Sequence, residues 1–444
     1  MKYRVSSALC LCLATVACGG STASKAPAKT TPPAPKYSEL TKRNLASFDK
    51  VWTTIRDRHW DPKLGGLDWN AVRAELRPRV GRAKSVAEAR VVLREMLARL
   101  KQSHFGILPL STLDAIRGNA PKNHHGGVGD VGITVRYLHG AAMVTRVRAG
   151  SAAQTAKVTP GWIILAIDGK PVAPMIQKIT AAYKGSTMLP LMVSRAVAAR
   201  LYGPVGSKVK LRFDAATAKP RELELARDKP NVPYASFGHL PKMPIRFETR
   251  RLGKDVAYVA LSVFLDPPRV VKGFAKAITD MRDTKGLILD LRGNPGGLAG
   301  IAIGIGGYLQ DKPNQALGTM ITRVGKLRFV LNPQPTIYKG KVAVLIDGLS
   351  ASSSEILAAG LRDLERARLF GRFTAGASLP SEIERLPNGD GFQYAFANYL
   401  SAAGERLEGR GVAPDVEIVP SRKQLMAGKD PVLDAAVAWI RAKQ

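Results

Sequence analysis

Between Asp255 and Leu364 the chain alternates short apolar runs with stretches of helical period, and this alternation limits the fold more than any other feature. Asp255-Val256-Ala257-Tyr258-Val259-Ala260-Leu261, Gly286-Leu287-Ile288-Leu289-Asp290-Leu291 and Val342-Ala343-Val344-Leu345-Ile346-Asp347 read as strands. Strands covered on both faces are apolar almost throughout, and parallel pairing demands a crossover between them. Helical stretches from about Pro268 to Arg282 and from Ser352 to about Leu364 fall beside these strands. The expected result is a βαβ-containing α/β domain. In such domains functional groups gather where strand ends meet helix starts.

Two of these junctions carry chemistry. In Asp290-Leu291-Arg292-Gly293-Asn294-Pro295-Gly296-Gly297 the glycines let backbone N–H groups approach a ligand, as an oxyanion hole requires. A tight strand-to-helix turn explains Asn-Pro-Gly-Gly equally well. In Ser350-Ala351-Ser352-Ser353-Ser354-Glu355 a serine stands at the mouth of a helix, whose dipole and free N–H groups favour an anionic intermediate. Ser352-x-x-Glu355 is also a capping box. Neither motif alone makes an enzyme.

Upstream the composition changes twice. Residues 38–102 are helical in pattern: Leu45, Phe48, Val51, Trp52 and Ile55 recur at spacings of three and four, as do Val91, Leu93, Met96, Leu97 and Leu100 nearer the end. Asp68 is placed to cap a helix opening at Trp69. This region ends at Lys101-Gln102-Ser103-His104-Phe105. Residues 126–228 instead show short strands between glycines, in the order Val131–Val135, Ala142–Val147, Gly150-Ser151-Ala152-Ala153 and Pro160–Val172.

At the other end of the argument stand the cysteines. Cys10, Cys12 and Cys18 all lie in the first eighteen residues, so neither a disulfide framework nor a Cys-rich zinc site belongs to the folded body. Lys2 and Arg4 followed by the apolar run Ala8–Ala17 are expected to form an export signal, too short to span a bilayer comfortably. Gly19 to about Lys36, rich in Pro, Ser, Thr, Ala and Lys, reads as a spacer that cannot bury enough surface to offset its entropy. The whole chain of 444 residues holds 67 basic against 35 acidic side chains, a balance of +32. Only two of the basic residues are in the leader. Such a charge favours anionic surroundings such as an envelope surface. The basic residues are dispersed and accompany no nucleic-acid motif, so nucleic-acid binding is not expected.

Three resemblances follow from these residues. Val16-Ala17-Cys18-Gly19 resembles a bacterial lipobox, with Thr15 in place of the usual Leu; this implies lipidation at Cys18 and an exported, envelope-anchored protein. Residues 126–228 resemble a PDZ domain of the bacterial protease type, which implies that the Val131-Gly132-Ile133 loop takes a peptide C-terminus and adds the peptide as a strand. Trp162 departs from the usual Asp after the turn glycine, and the stretch Ala173 to Leu201 is longer than usual. The ordered set of helical region, PDZ-like region, Asp290–Gly297 turn, Ser350–Glu355 junction, Gly371–Ala377, Leu386-Pro387-Asn388-Gly389 and Glu408–Asp415 resembles the S41 family of tail-specific, or C-terminal processing, proteases.

The resemblance implies an α/β multidomain architecture: signal 1–17, linker 18–37, N-terminal helical domain 38–118, PDZ domain 126–228, and a ClpP/crotonase-like protease domain over 240–444. It makes Ser352 the nucleophile, with backbone N–H groups at Gly296 or Gly297 and at Ser353 holding the oxyanion. One branch of the family takes its base from a lysine at position 377, but Ala377 stands there and no lysine occurs between Val342 and Arg422. The tricorn-like branch uses a Ser-His pair upstream, matched by Ser103-His104, and an acid just before Gly411-Val412-Ala413-Pro414-Asp415, which points to Glu408 with Glu405 as competitor. Asp363 is taken as structural. Histidine suits the task because its pKa lies near neutrality. The expected activity is serine endopeptidase action on proteins or peptides, with no metal or organic cofactor. Three other readings stay open: an inactive protease fold serving as a peptide-binding adaptor, a protease using a lysine from elsewhere, and a basic envelope-binding lipoprotein.

Overall fold

A computed structural model of the chain describes residues 37–109, 128–235 and 243–442. The leader, Cys18 and most of the spacer fall outside the described residues. So do His124, His125 and His239.

The apolar runs form the centre of a six-stranded sheet in the order Phe247–Leu252, Val256–Leu261, Gly286–Asp290, Lys341–Ile346, Arg368–Gly371, Val416–Glu417. The first pair is antiparallel and the rest are parallel. Alternation within each run sorts the side chains. Ala257, Val259, Leu287, Leu289, Val342 and Val344 face a core with helices Pro267–Asp280, Ala299–Gly307 and Ser353–Asp363. Val256, Tyr258, Ile288, Ala343 and Leu345 face helix Pro431–Arg441 through Val432, Ala436 and Ile440. Burial on both sides accounts for the uninterrupted apolar sequence. Strands Gly286–Asp290 and Lys341–Ile346 are neighbours and run parallel, so the Asp290–Gly297 turn and the Ser350–Glu355 junction lie at the same end of the sheet.

Helices Glu39–Arg58, Trp69–Gly81 and Val86–Ala98 make up the N-terminal region, and Asp68 caps the second by accepting from Ala71 N–H at 2.9 Å. Its core is not its own, because Leu386, Phe392 and Tyr394 pack among Phe48, Leu93 and Leu97. Strand Gly106–Leu108 pairs antiparallel with Gly391–Gln393 of the hairpin Ser381–Ala395. Arg90 adds a two-pronged ion pair to the fully buried Asp390, at 2.8 and 2.9 Å. Together these fix where Ser103 and His104 leave the helical region.

Residues 133–226 form an antiparallel sheet in the order Ile133–Leu138, Ala141–Val147, Ile163–Ile167, Lys208–Asp214, Arg221–Ala226. Trp162 is buried in its core, edge-on to Phe213 with ring centres 5.4 Å apart. The long stretch after Ala173 becomes two helices, Ala173–Ala182 and Leu189–Leu201. This domain is clasped to the α/β domain at two places. Arg136 donates to Asp347 Oδ2 at 2.6 Å, and Arg422 pairs with both carboxylate oxygens of Asp214 at 2.7 and 2.9 Å.

Candidate active site

Ser352 precedes helix Ser353–Asp363 with φ 56° and ψ −121°, a region that side-chain-bearing residues rarely occupy and that costs of order 1–3 kcal/mol. Its surroundings hold it there. Ser352 N–H donates to Ala377 O at 2.8 Å and to Glu355 Oε2 at 2.9 Å. Glu355 is fully buried and accepts three further bonds, from Thr374 Oγ1 at 2.6 Å, Gly376 N–H at 2.7 Å and Ala377 N–H at 2.9 Å. Burial pushes its carboxyl up to about 7 against these donors. The capping-box glutamate therefore also ties the serine to the segment Thr374–Ala377. Asp347 does the same for the facing turn, accepting from the N–H groups of Gly293, Leu349 and Ser350 at 2.8, 3.0 and 3.2 Å. Burial opposes its ionisation, yet Arg136 and those donors hold its pKa below the ordinary value.

Ser103, His104 and Glu408 are joined directly. Glu408 is buried and accepts from Ser103 N–H at 2.7 Å, Ser103 Oγ at 2.8 Å and Ser378 N–H at 3.0 Å. Burial raises its pKa, opposed by those three donors. Ser103 Oγ lies 2.6 Å from His104 Nδ1. A hydroxyl has one proton, and while Glu408 is ionised that proton goes to the carboxylate, so Ser103 accepts from His104 Nδ1–H. Nε2 is then left with a free lone pair. Burial, and secondarily the charge of Arg195, push the imidazole down to about 4, so it is neutral at neutral pH. Glu405 lies outside this chain: it is exposed and pairs with Arg362 at 3.2 Å. Asp363 accepts from Ala403 N–H and pairs with Arg362.

Ala377 and Ser378 act as a ruler between the two halves. Ala377 bonds Ser352 through its carbonyl, and the next residue bonds Glu408 through its N–H. Consecutive residues thus hold the serine and the Glu408–Ser103–His104 chain. Ser352 and His104 line one cleft of about 1710 Å³, and among the described residues no hydrogen bond joins them in this conformation. Such bonds are often long before substrate binds. Lys429 is the one lysine among the described residues lining the cleft, beside Asp430 and away from the Ala377 segment in sequence.

The expected oxyanion donors separate. Gly296 N–H is spent on Asn294 Oδ1 at 2.9 Å, which corrects the expectation that it is available. Gly297 and Ser353 N–H have no acceptor among the described residues. Gly296 serves instead by its lack of a side chain, since a Cβ there would come within 2.6 Å of Ser352 Cβ. Asn294 was overlooked as more than part of a turn; it is fully buried and also donates to Leu261 O, while its carbonyl accepts from Ala351 N–H and Ser354 Oγ.

In the loop expected to take a peptide terminus, Val131 is buried, Ile133 lines the cleft, and Gly132 N–H donates to Asp130 Oδ1 at 2.6 Å. Asp130 thus holds, in this conformation, the donor that a terminal carboxylate would need. At the edge of strand Ile133–Leu138, Tyr137 N–H donates to Ser194 Oγ and Tyr137 O accepts from Arg372.

Residues 255–418 match peptidase family S41, and residues 42–98 match the tricorn protease C1 domain. A carboxyl-terminal-processing protease of Synechocystis is 28% identical over 87% of this chain and 82% of its own length. A tricorn protease homologue of Streptomyces coelicolor is 25% identical over 88% of this chain, which spans only 32% of that relative. Among solved structures, a photosystem II D1 C-terminal processing protease shares the fold with a TM-score of 0.57 at 23% identity, covering 86% of this chain and 97% of that one.

Proposed function

The chain is an S41 serine peptidase with a tricorn C1 domain ahead of its catalytic domain, and from that premise we propose that it cleaves peptide bonds through Ser352, with His104 as base and Glu408 acting on His104 through Ser103. The observation that carries this reading is the bonded series Glu408–Ser103–His104, fastened through Ser378 and Ala377 to the serine. Ser352 Oγ attacks the peptide carbonyl as His104 Nε2 takes its proton. The tetrahedral oxyanion is received by the N–H groups of Gly297 and Ser353 at the positive end of helix Ser353–Asp363. His104 then protonates the leaving amine, and water repeats the sequence on the acyl-enzyme. Glu408 fixes the tautomer and stabilises the imidazolium across the serine hydroxyl.

The sheet domain over 133–226 serves, in this proposal, as a PDZ-type element that presents the substrate, once Asp130 releases Gly132 N–H. The leader and lipobox-like cysteine support export and tethering at the cell envelope through Cys18. A fluorophosphonate probe should label wild type well, His104→Ala far less and Ser352→Ala not at all; each variant should lose cleavage of an unfolded protein substrate. Full cleavage by His104→Ala would favour a lysine base, and absence of labelling in folded wild type would favour a peptide-binding adaptor. Incorporation of labelled palmitate that disappears in Cys18→Ala tests the anchor.

A further inference from the structure

Helix Leu189–Leu201 forms one wall of the cleft. Met188, Leu191, Arg195, Ala198 and Tyr202, at spacings of three and four, look into it. The helix start is fixed on the serine loop: Leu191 packs with Ala351, Ala375 and Ala377, and Thr187 Oγ1 donates to Ala375 O at 3.2 Å. Ser194 fastens its middle to Tyr137 N–H at 3.0 Å. Arg195 is therefore carried on a rigid support.

No hydrogen bond or ion pair engages the Arg195 guanidinium among the described residues. Among the described residues, the acidic groups of the cleft are otherwise taken. Asp347 pairs with Arg136, Asp290 and Asp430 share Arg292, Glu382 meets Arg58, and Glu248 meets Arg250. Solvent reaches Arg195, but the cleft walls crowd it enough to lower its own pKa by desolvation. Arg195 and His104 line the same cleft, and the positive charge of Arg195 acts on the imidazole. Arg146, Arg246 and Lys429 also line the cleft without an ion pair among the described residues. A cation carried on an anchored helix in the same cleft as the proposed base, with no carboxylate among the described residues to answer it, is a group prepared for an anion brought by the substrate.

We propose that Arg195 is a specificity-determining residue that pairs with a carboxylate of the bound peptide close to the scissile bond, selecting acidic segments or a free chain end. This rests on the peptidase reading above. The carboxylate has two sources, an Asp or Glu side chain or the terminal carboxylate, and both offer the flat pair of oxygens that a guanidinium grips. Pairing has a second effect. Among the described residues, the charged and titratable neighbours of His104 are Glu408, reached through Ser103 and itself near Arg406, and Arg195; His59, which stacks on Phe105, is held by Gln102 and Asp61 O. Neutralising Arg195 with a substrate anion removes the nearby positive charge and makes His104 a stronger base when such a substrate is bound.

The test uses full-length enzyme and matched fluorogenic peptides, one set with a free or amidated C-terminus and another with Glu or Gln stepped through the positions around the cleavage site. Wild type should favour the carboxylate-bearing member of at least one set by about tenfold to a hundredfold in kcat/KM, the range expected for a charged hydrogen bond. The set that shows the preference identifies the source. Arg195→Gln should lose the preference, Arg195→Lys should keep part of it, and the uncharged peptides, which bring no anion to answer Arg195 in wild type, should be cleaved no more slowly by Arg195→Gln. In Arg195→Gln the acid limb of kcat/KM on an uncharged peptide should move to higher pH, which a merely structural role would not cause. Equal cleavage within both sets by wild type, or a preference unchanged in Arg195→Gln, overturns the proposal. A wild type that cleaves no peptide and takes no fluorophosphonate label overturns the peptidase reading and this inference with it.

Discussion

Replacing Ser103 with Ala cuts the proposed relay at its middle and leaves both ends in place. Glu408 keeps the N–H donors of residues 103 and 378, at 2.7 and 3.0 Å, so the carboxylate stays where it is. Two bonds disappear, the one to Glu408 Oε2 at 2.8 Å and the one to His104 Nδ1 at 2.6 Å. With a methyl group opposite Nδ1, the reactive tautomer has a buried donor without an acceptor, which costs about 1–3 kcal/mol. The other tautomer puts its proton on Nε2, facing the cleft, where it cannot receive the proton of Ser352. The imidazolium formed during attack also loses its link to Glu408, a charged hydrogen bond of about 1.5–3 kcal/mol. These effects overlap, and about 3–4 kcal/mol in the barrier corresponds to a kcat lower by about 10²–10³. KM should hardly move, because Ser103 is buried behind the histidine. Ser103→Thr keeps a hydroxyl and should recover most of the loss. The measurements are initial rates across a range of peptide concentrations, with thermal melting to establish that both variants fold. A folded Ser103→Ala whose kcat lies within about threefold of wild type would refute the relay.

Other outcomes follow from the same geometry. Gly296→Ala places a methyl within 2.6 Å of Ser352 Cβ at a φ of 96° that disfavours any side chain, so fluorophosphonate labelling should slow by about 100-fold or more while Ser352 itself is unchanged. Because His104 must be unprotonated to act and its pKa lies at about 4, kcat/KM on an uncharged peptide should be flat from mildly acidic to neutral pH and fall only below about 4; a limb near 6.5 would mean that burial and Arg195 do not act on it. Glu355, with its pKa raised from 4.5 to about 7, holds its proton more tightly folded than unfolded. Its contribution to stability is fully present below 4.5 and is lost as pH rises to about 7, at up to about 1.4 kcal/mol per pH unit. The difference in melting temperature between wild type and Glu355→Gln should track that window, and a difference independent of pH would contradict it.

The three apolar runs were readable as strands because burial on both faces leaves its mark on every residue, and the helix opening after Ser352 was readable from its cap. The choice of Glu408 over Glu405 was less visible, since both sit among polar loop residues; what separates them is a contact with Ser103, far away in sequence. The hairpin Ser381–Ala395 escaped notice for a related reason. Glu382, Glu384 and Arg385 break its apolar pattern, and its inner residues Phe392 and Tyr394 are buried only by helices at the other end of the chain. The flexibility of Gly296 is legible in the sequence, while the side-chain carbonyl of Asn294 that consumes its N–H and leaves Gly297 as the free donor of the pair is not. Arg195 lies in a stretch marked only as unusually long, and nothing local distinguishes a cation facing a cleft from one facing water.

Glu408 meets Ser103 at a separation of 305 positions, and strand Gly106–Leu108 depends on Gly391–Gln393 for its partner. A chain growing from its N-terminus therefore holds Ser103 and His104 long before the hairpin Ser381–Ala395 that seats them and before Glu408, the acid of the proposed relay. Closing so long a loop is slow and entropically costly, and it comes after the local helices have formed. A partly synthesised or still unfolded chain carries all the ingredients of a peptidase except their arrangement. On the proposed mechanism, cleavage thus waits until the segments that carry Ser103 and Glu408 have come together.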